Sequence, residues 1–435
     1  MTQRVGLDRW RRVQVECSCS ATLEPVRVLA AVDKFRGTAT AAEVARAIAV
    51  ACQSLGHDCV EMPLADGGEG TLQVLGGPNR TSQVEGPLGL PATAQWRLHD
   101  ATAIIEMAQA SGLQLVGGAE GNDAVLASTV GTGQLIDEAL ALGARRIIVC
   151  VGGSATTDGG LGAVQAITKH KMLRDVDFVV ACDVRTMFVD AAETFAPQKG
   201  ATDQQVRFLT ARLEGAADHY LARFGVDVRA LSGSGAAGGL AGGLAALGAR
   251  LVPGFDLVAN EVGFAAALAD CDLVITGEGR LDATSFAGKV VGEVARHAAA
   301  HHAAALCGAI DPSAHELAAQ LGLHTVSLVE QFGNDAVTDT ARCITRAARA
   351  VLETRCLTRS KGAVVGKSIA AEDSRVAGVR TVVATVELQF IELLEIPRQS
   401  TVSAVYLECI LTLRTHGRAT GLERSGGAIF ESAQH

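Results

Sequence analysis

The chain of 435 residues is poor in aromatics, at 4%, and holds only nine prolines. Its core must therefore be built from aliphatic and small side chains, and its turns from glycine, of which there are 48. The eleven cysteines include no CxxC pair and no Cys/His spacing suited to zinc; Cys17 and Cys19 make only a CxC. Reduced thiols in a cytoplasmic protein are expected. No apolar run reaches the roughly 18 residues a membrane helix needs. The longest, AAGGLAGGLAALGA (236–249), is short and glycine-laden. Arg4, Asp8, Arg11 and Arg12 stand at the start with no apolar stretch, so no secretory signal and no membrane partner are expected. The formal net charge is −9, and no Lys/Arg block is interleaved with aromatics, which argues against a nucleic-acid partner. A true Walker A motif is also missing: GAVVGKS (362–368) is one residue too short.

What is present is a rhythm. VRVLAAV (26–32) reads as a strand. Thr40 and Glu43 form a capping box that opens a helix through about Leu55, which stops at Gly56. DCVEMPL (58–64) is the next strand. Strand, helix and strand with short loops make a βαβ unit and hence a parallel sheet. TAQWRLHD and ATAIIEMA (93–108) read as two antiparallel strands. Strands follow at 147–151, 177–184, 271–279 and 324–333, with helices at 131–144, 201–224 and 339–355. The length suits two or three domains. After Arg355 the rhythm stops. Residues 356–435 carry nine Lys/Arg against eight Asp/Glu, so the negative charge lies before them. Two β-prone stretches there, TVVATVELQFIELLEI and AVYLECILTLR, could pair as a hairpin.

The strands share an ending: a small-residue loop with an acid. Ligands of parallel sheets sit beyond those carboxyl ends. Asp33 and Asp66 each follow a strand. In VGGSATTDGG (151–160), successive backbone N–H groups can form a concave anion site, with hydroxyls from Ser154, Thr156 and Thr157. Asp158 there suits a phosphate that arrives with Mg²⁺. The alternative is a tight strand-to-helix turn with an Asp cap. GSGAAGG (233–239) matches GxGxxG, but VDVRALS before it is a poor strand, so a dinucleotide loop is disfavoured. GEGRLDATSFAGK (277–289) gathers Glu278, Asp282, Thr284 and Lys289; FAPQKGA offers Lys199; VDKFRGT offers Lys34 and Arg36. Cations clamp phosphates and carboxylates, and acids hold Mg²⁺ or take a proton from a hydroxyl.

Six collinear blocks carry a resemblance: AVDKFRGTATAAEVARAI, PLADGGEGT, GGSATTDGG, CDV…FAPQKGAT, GSGAAGGLAGGL and DLVITGEGRLDATSFAGK. Over about residues 26–355 the chain resembles the bacterial type I glycerate kinases. The resemblance implies an α/β fold of two α/β domains: a Rossmann-like parallel sheet (26–80 and 285–355) and a mixed-sheet insert (81–284), with the active site in the cleft between them. A lead (1–25) and an extension (356–435) lie outside it. It implies ATP- and Mg²⁺-dependent phosphorylation of D-glycerate to 2-phosphoglycerate in organic-acid catabolism, and it leaves room for a homodimer. The chain departs from the family after CDV, where RTMFVDAAET replaces an Asn-Pro-Leu stretch and is a few residues shorter.

On this reading Gly152, Gly153, Ser154, Thr156, Thr157, Gly233, Gly235 and Glu278 bind the nucleotide, and Asp158 binds the metal. Asp33, Lys34, Arg36, Asp66 and Glu69 bind the substrate. Lys199 and Lys289 neutralise the transferring phosphoryl, and the base is Asp183 or Asp282. Two rivals remain: an NAD-dependent hydroxy-acid dehydrogenase built on GSGAAG, and a non-catalytic sugar-acid sensor on a kinase fold.

Overall fold

A computed structural model of the chain describes residues 25–299, 301–363, 385–388 and 411–414. Among these residues, those up to Arg359 form one compact unit and those from Ser360 another. In the first unit, eleven strands build two sheets. β1 (Arg27–Val32) and β2 (Asp58–Pro63) open the chain; β3 (Arg80–Glu85), β4 (Pro91–His99), β5 (Thr102–Glu106), β6 (Arg146–Cys150), β7 (Asp177–Cys182) and β8 (Arg250–Pro253) follow; β9 (Leu273–Leu281), β10 (His302–Ile310) and β11 (His324–Ser327) close it. The first sheet runs β11-β10-β9-β1-β2 and is parallel throughout. The second runs β3-β4-β5-β6-β7-β8, antiparallel up to β5 and parallel from there.

Period-two alternation explains how β1 is buried on both sides. Val28, Ala30 and Val32 pack with Val44 and Ile48 of the helix Ala41–Ser54 and with Ile344 and Ala348 of the helix Thr340–Ala363. Leu29 and Ala31 face the other way, into a cluster that holds Ile104 of β5, Ile148 of β6 and Val179 of β7. The two sheets therefore share an apolar layer, and each fully buried Leu or Ile in it contributes about 1.5–3 kcal/mol. The capping box at Thr40 and Glu43 is present, as the sequence predicts.

Of four features, three differ from the sequence reading and one, the lack of a strand at VDVRALS, agrees with it. β9 lies within the stretch assigned to the insert, yet it pairs with β1 and β10 of the first sheet. The insert's own sheet thus ends at β8. The segment 324–333 is strand only to Ser327, whose side chain accepts the Glu330 N–H and starts the helix Leu328–Phe332. VDVRALS is a short 3₁₀ turn, Val228–Ala230, capped by Asp227, so no strand feeds GSGAAGG. The helix begun at Thr340 continues past Arg355 to Ala363. In the second unit Thr385–Leu388 pairs antiparallel with Leu411–Arg414, matching the two β-prone stretches. Cys17, Cys19 and residues 364–368 of GAVVGKS lie outside the described residues.

Candidate active site

Parallel strands deliver their loops to one side, and the chemistry collects there. Asp33 and Lys34 follow β1, Asp66 and Glu69 follow β2, Gly152–Ser154 follow β6, and Asp183 follows β7. Glu278 stands in the carboxyl half of β9. These loops border two clefts. The first, about 650 Å³, is lined by Asp33, Lys34, Asp66, Glu278, Asp282 and Lys289 among others. The second, about 480 Å³, is lined by Gln109, Gln114, Ser154, Gln198, Lys199 and Ala237 among others. Arg36, Glu69, Gly152, Gly153 and Asp183 line both. The loops can meet only because they are bare: a Cβ on Gly152 would come within 2.7 Å of the Gly68 Cα.

Three acids of the first cleft are desolvated. Burial pushes Asp183 up to about 6, with the Asp66 carboxylate adding to the rise. Burial also pushes Asp33 up to about 6 against the pull of Lys34. It pushes Glu278 up to about 7, against a hydrogen bond from Ser285. Asp282 is the opposite case. Its Oδ1 accepts the Thr284 N–H and hydroxyl at 2.8 and 2.6 Å, which holds it below the usual carboxylate range. Asp282 thus caps the turn Ala283–Phe286. Lys289 Nζ donates to Thr284 Oγ1 at 3.2 Å. Lys34 donates to the Glu69 carbonyl, and Arg36 pairs with the Glu69 carboxylate at 3.3 Å.

Lys199 is 3% exposed. Its ammonium donates to Ser154 Oγ at 2.8 Å and to the Thr156 carbonyl at 2.7 Å. Burial pushes it down to about 7, with Asp158 opposing. A lysine ammonium has three donors, so one remains for an anion in the second cleft.

The glycine loop divides into two parts. Gly152, Gly153 and Ser154 reach the clefts, whereas Thr156 and Thr157 are buried beneath. Asp158, read from the sequence as a metal ligand, lines neither cleft. It is 1% exposed, and Oδ2 accepts the Thr129 N–H and hydroxyl at 2.9 and 2.8 Å and the Gly162 N–H at 3.2 Å. Oδ1 accepts the Gly160 N–H at 3.0 Å. Both oxygens are thus spent on capping the helix Leu161–Ala166 and on tying it to the segment at Thr129. Gly233 and Gly235 pack under the turn after β7; a Cβ on Gly235 would lie 2.3 Å from the Met187 carbonyl. Their neighbours Ala236 and Ala237 line the second cleft instead, Ala237 with a φ of 53°.

Glu106, at the end of β5, was not singled out from the sequence. It is 4% exposed, and its Oε1 accepts the Gly70 and Leu72 N–H groups, each at 2.8 Å. A carboxylate of the second sheet thereby holds the loop that follows β2 of the first. The signal was available: ATAIIE is an apolar strand ending in an acid, like those before Asp33 and Asp183.

Two α/β layers that bring acids and cations from opposite sheets to one double cleft make the architecture of an enzyme acting on small polar molecules. A model described as the glycerate kinase family matches residues 28–170 and 167–356. The Escherichia coli K12 protein named glycerate 2-kinase is 38% identical over 317 residues, covering 64% of this chain and 83% of that one. The Bacillus subtilis 168 protein named glycerate kinase is 37% identical over 313 residues, covering 63% and 82%. A Salmonella typhimurium LT2 crystal structure, provisionally named glycerate kinase 2, superposes with a TM-score of 0.62 at 31% identity, covering 78% of this chain and all of that one. The chain belongs to the glycerate kinase family, and it is a kinase.

Proposed function

We propose that the protein transfers the terminal phosphoryl group of ATP to the 2-hydroxyl of D-glycerate, yielding 2-phosphoglycerate. The relatives' names support glycerate as acceptor. One observation carries the reading at the site: Asp183 borders both clefts, so a group held in one can be handed to a group held in the other across it.

In this account ATP lies in the first cleft. β1 and β9 are neighbours there, and the chain leaves them in opposite directions, to β2 on one side and β10 on the other. Such a switch point opens a crevice for ligands. Glycerate lies in the second cleft, its carboxylate toward Arg36 and the free donor of Lys199. Asp183 accepts the hydroxyl proton; with a pKa of about 6 it is ionised at neutral pH yet basic enough to serve. Asp282, committed to its cap, is assigned a positioning role. Lys34 and Lys289 offset the charge of the phosphates.

Mg²⁺ fits this site through Asp33 and Asp66. Each spends one oxygen on a backbone N–H, from Lys34 and Gly68 respectively, and leaves the other free. No preformed group of three or more His, Cys, Asp or Glu ligands exists among the described residues. Mg²⁺ bound through one or two carboxylates, phosphates and water needs none. When bound it would supply charge neutralisation at the phosphate oxygens. The catabolic setting and cytoplasmic location belong to the same proposal and rest on the family alone.

Incubation with ATP, Mg²⁺ and D-glycerate should release ADP only when all three are present. Saturable glycerate binding without ADP would favour the sensor, and NADH formation from NAD and glycerate the dehydrogenase.

A further inference from the structure

Away from both clefts, the insert carries a separate hollow, and none of its lining residues lines either cleft. It measures about 710 Å³, and five basic side chains stand around it: Lys169, His170, Lys171, His219 and Arg223. Both clefts carry carboxylates on their walls, and this hollow carries none. In a chain of net charge −9 that is a local reversal of sign. His219 and Arg223 stand four residues apart on the helix Asp203–Phe224 and so share a face. The segment after the helix Leu161–Ala166 supplies the other three. Asp137 fixes that segment: its Oδ1 accepts the Thr168 and Lys169 N–H groups at 2.8 and 3.0 Å, and its Oδ2 pairs with the Lys169 ammonium. His170 Nε2 donates to the Val164 carbonyl at 3.1 Å. The Arg223 guanidinium lies 5.5 Å from the centroid of the Phe224 ring.

We propose that this hollow is a second ligand site, built for a small polyanion that carries phosphate. Three observations converge. The first is unbalanced charge. Asp137 offsets Lys169, but no carboxylate pairs with Lys171 or Arg223 among the described residues. Like charges held around one hollow repel each other, and they concentrate an anion of opposite sign. The second is the donor set. A guanidinium fork grips two phosphate oxygens at once, an ammonium adds a point charge, and the His219 ring adds an N–H donor. The third is size. The volume lies within the range of small-molecule sites, and the buried Val164 and Ile167 offer apolar surface to a carbon skeleton. The site is independent of the kinase reading, since none of its residues is assigned to the reaction.

The test is calorimetric titration of the full chain with inorganic pyrophosphate, without Mg²⁺, beside the double variant Lys171→Ala with Arg223→Ala. Both side chains are exposed, so the thermal midpoint should stay close to the parent's. Pyrophosphate affinity should fall about tenfold or more, as the loss of two charge-assisted contacts requires. A second double variant, Arg145→Ala with Arg207→Ala, removes the same charge from exposed positions outside the hollow and should bind as the parent does. Equal weakening in the two double variants would overturn the proposal, because net charge alone would then explain it. So would equal affinity in the parent and the Lys171→Ala, Arg223→Ala variant, or no binding to the parent at all. Fructose 1,6-bisphosphate separates the sources of such a ligand. Binding tighter than that of pyrophosphate, and lost in the same variant, assigns the hollow to an organic phosphate; weaker binding assigns it to an inorganic one.

Discussion

Asp183 and Asp158 show how one residue type serves opposite ends. Asp183 keeps a desolvated carboxylate at the edge of two clefts, so its proton affinity is raised toward neutrality. A base must be deprotonated to act, so kcat/KM should rise as pH climbs through about 6. Asp183→Asn should lose about 10²–10⁴-fold in kcat with KM little changed, while Asp282→Asn stays within about tenfold. Steady-state kinetics across pH 5–8 on both variants would check this, and equal losses would remove the distinction. Asp33 titrates in the same range, so Asp33→Asn serves as the control that should retain the acid limb. Asp158 meets four donors in the interior. Asp158→Ala strands those donors and should cost about 3–5 kcal/mol of stability, read as a lower denaturation midpoint. An unchanged midpoint with altered Mg²⁺ response would restore it to the metal. The sequence named both aspartates as functional, because an acid in a glycine loop looks the same whether it caps a helix or faces a cleft. Only the burial that comes from Thr129, in a distant segment, separates them.

Loops as well as the shared apolar layer decide how the two sheets meet. Gly68 and Gly152 touch backbone to backbone, and Gly238 approaches the loop from its other side: a Cβ there would lie 2.0 Å from the Thr156 carbonyl. Much of the glycine in these loops is therefore close packing, and of VGGSATTDGG beyond β6 only Val151–Ser154 line the clefts. Glu106 is the polar counterpart, a buried carboxylate from β5 that fixes the loop after β2. Glu106→Ala should release that loop and reduce kcat/KM about tenfold or more. Glu106→Gln, which keeps an amide oxygen for the same two N–H groups, should recover most of it. Equal loss in both variants, by the same assay, would mean that the charge and not the acceptor matters. Strand and helix positions were legible because period-two and capping signals are local. The partnership of β9 with β1 was not, since nothing in 273–281 records which sheet it joins. The helix after Ser327 was hidden for a different reason: HTVSLVEQF has the same apolar alternation in either state, and the Ser327 cap decides it.

At the scale of the molecule, the unit ending at Arg359 contains both sheets, both clefts and every residue assigned to the site. A chain ending there should unfold cooperatively and keep the kinetic constants of the full chain. Loss of either, in calorimetry or in the assay, would show that residues from Ser360 contribute to the working protein. The family was legible in six short blocks because five of them encode a strand end, where backbone geometry and charge leave little freedom. The double cleft was not, because it forms only when loops from two sheets converge. The proposed reaction passes phosphoryl across the Asp183 edge to the 2-hydroxyl of glycerate. Phosphorus NMR of a reaction containing the protein, ATP, Mg²⁺ and D-glycerate tests it most directly. A growing phosphomonoester resonance coupled to the single proton on C2 is expected, with ADP rising in step. A resonance coupled to the two C3 protons would contradict the assigned hydroxyl, and no phosphomonoester at all would contradict the transfer itself.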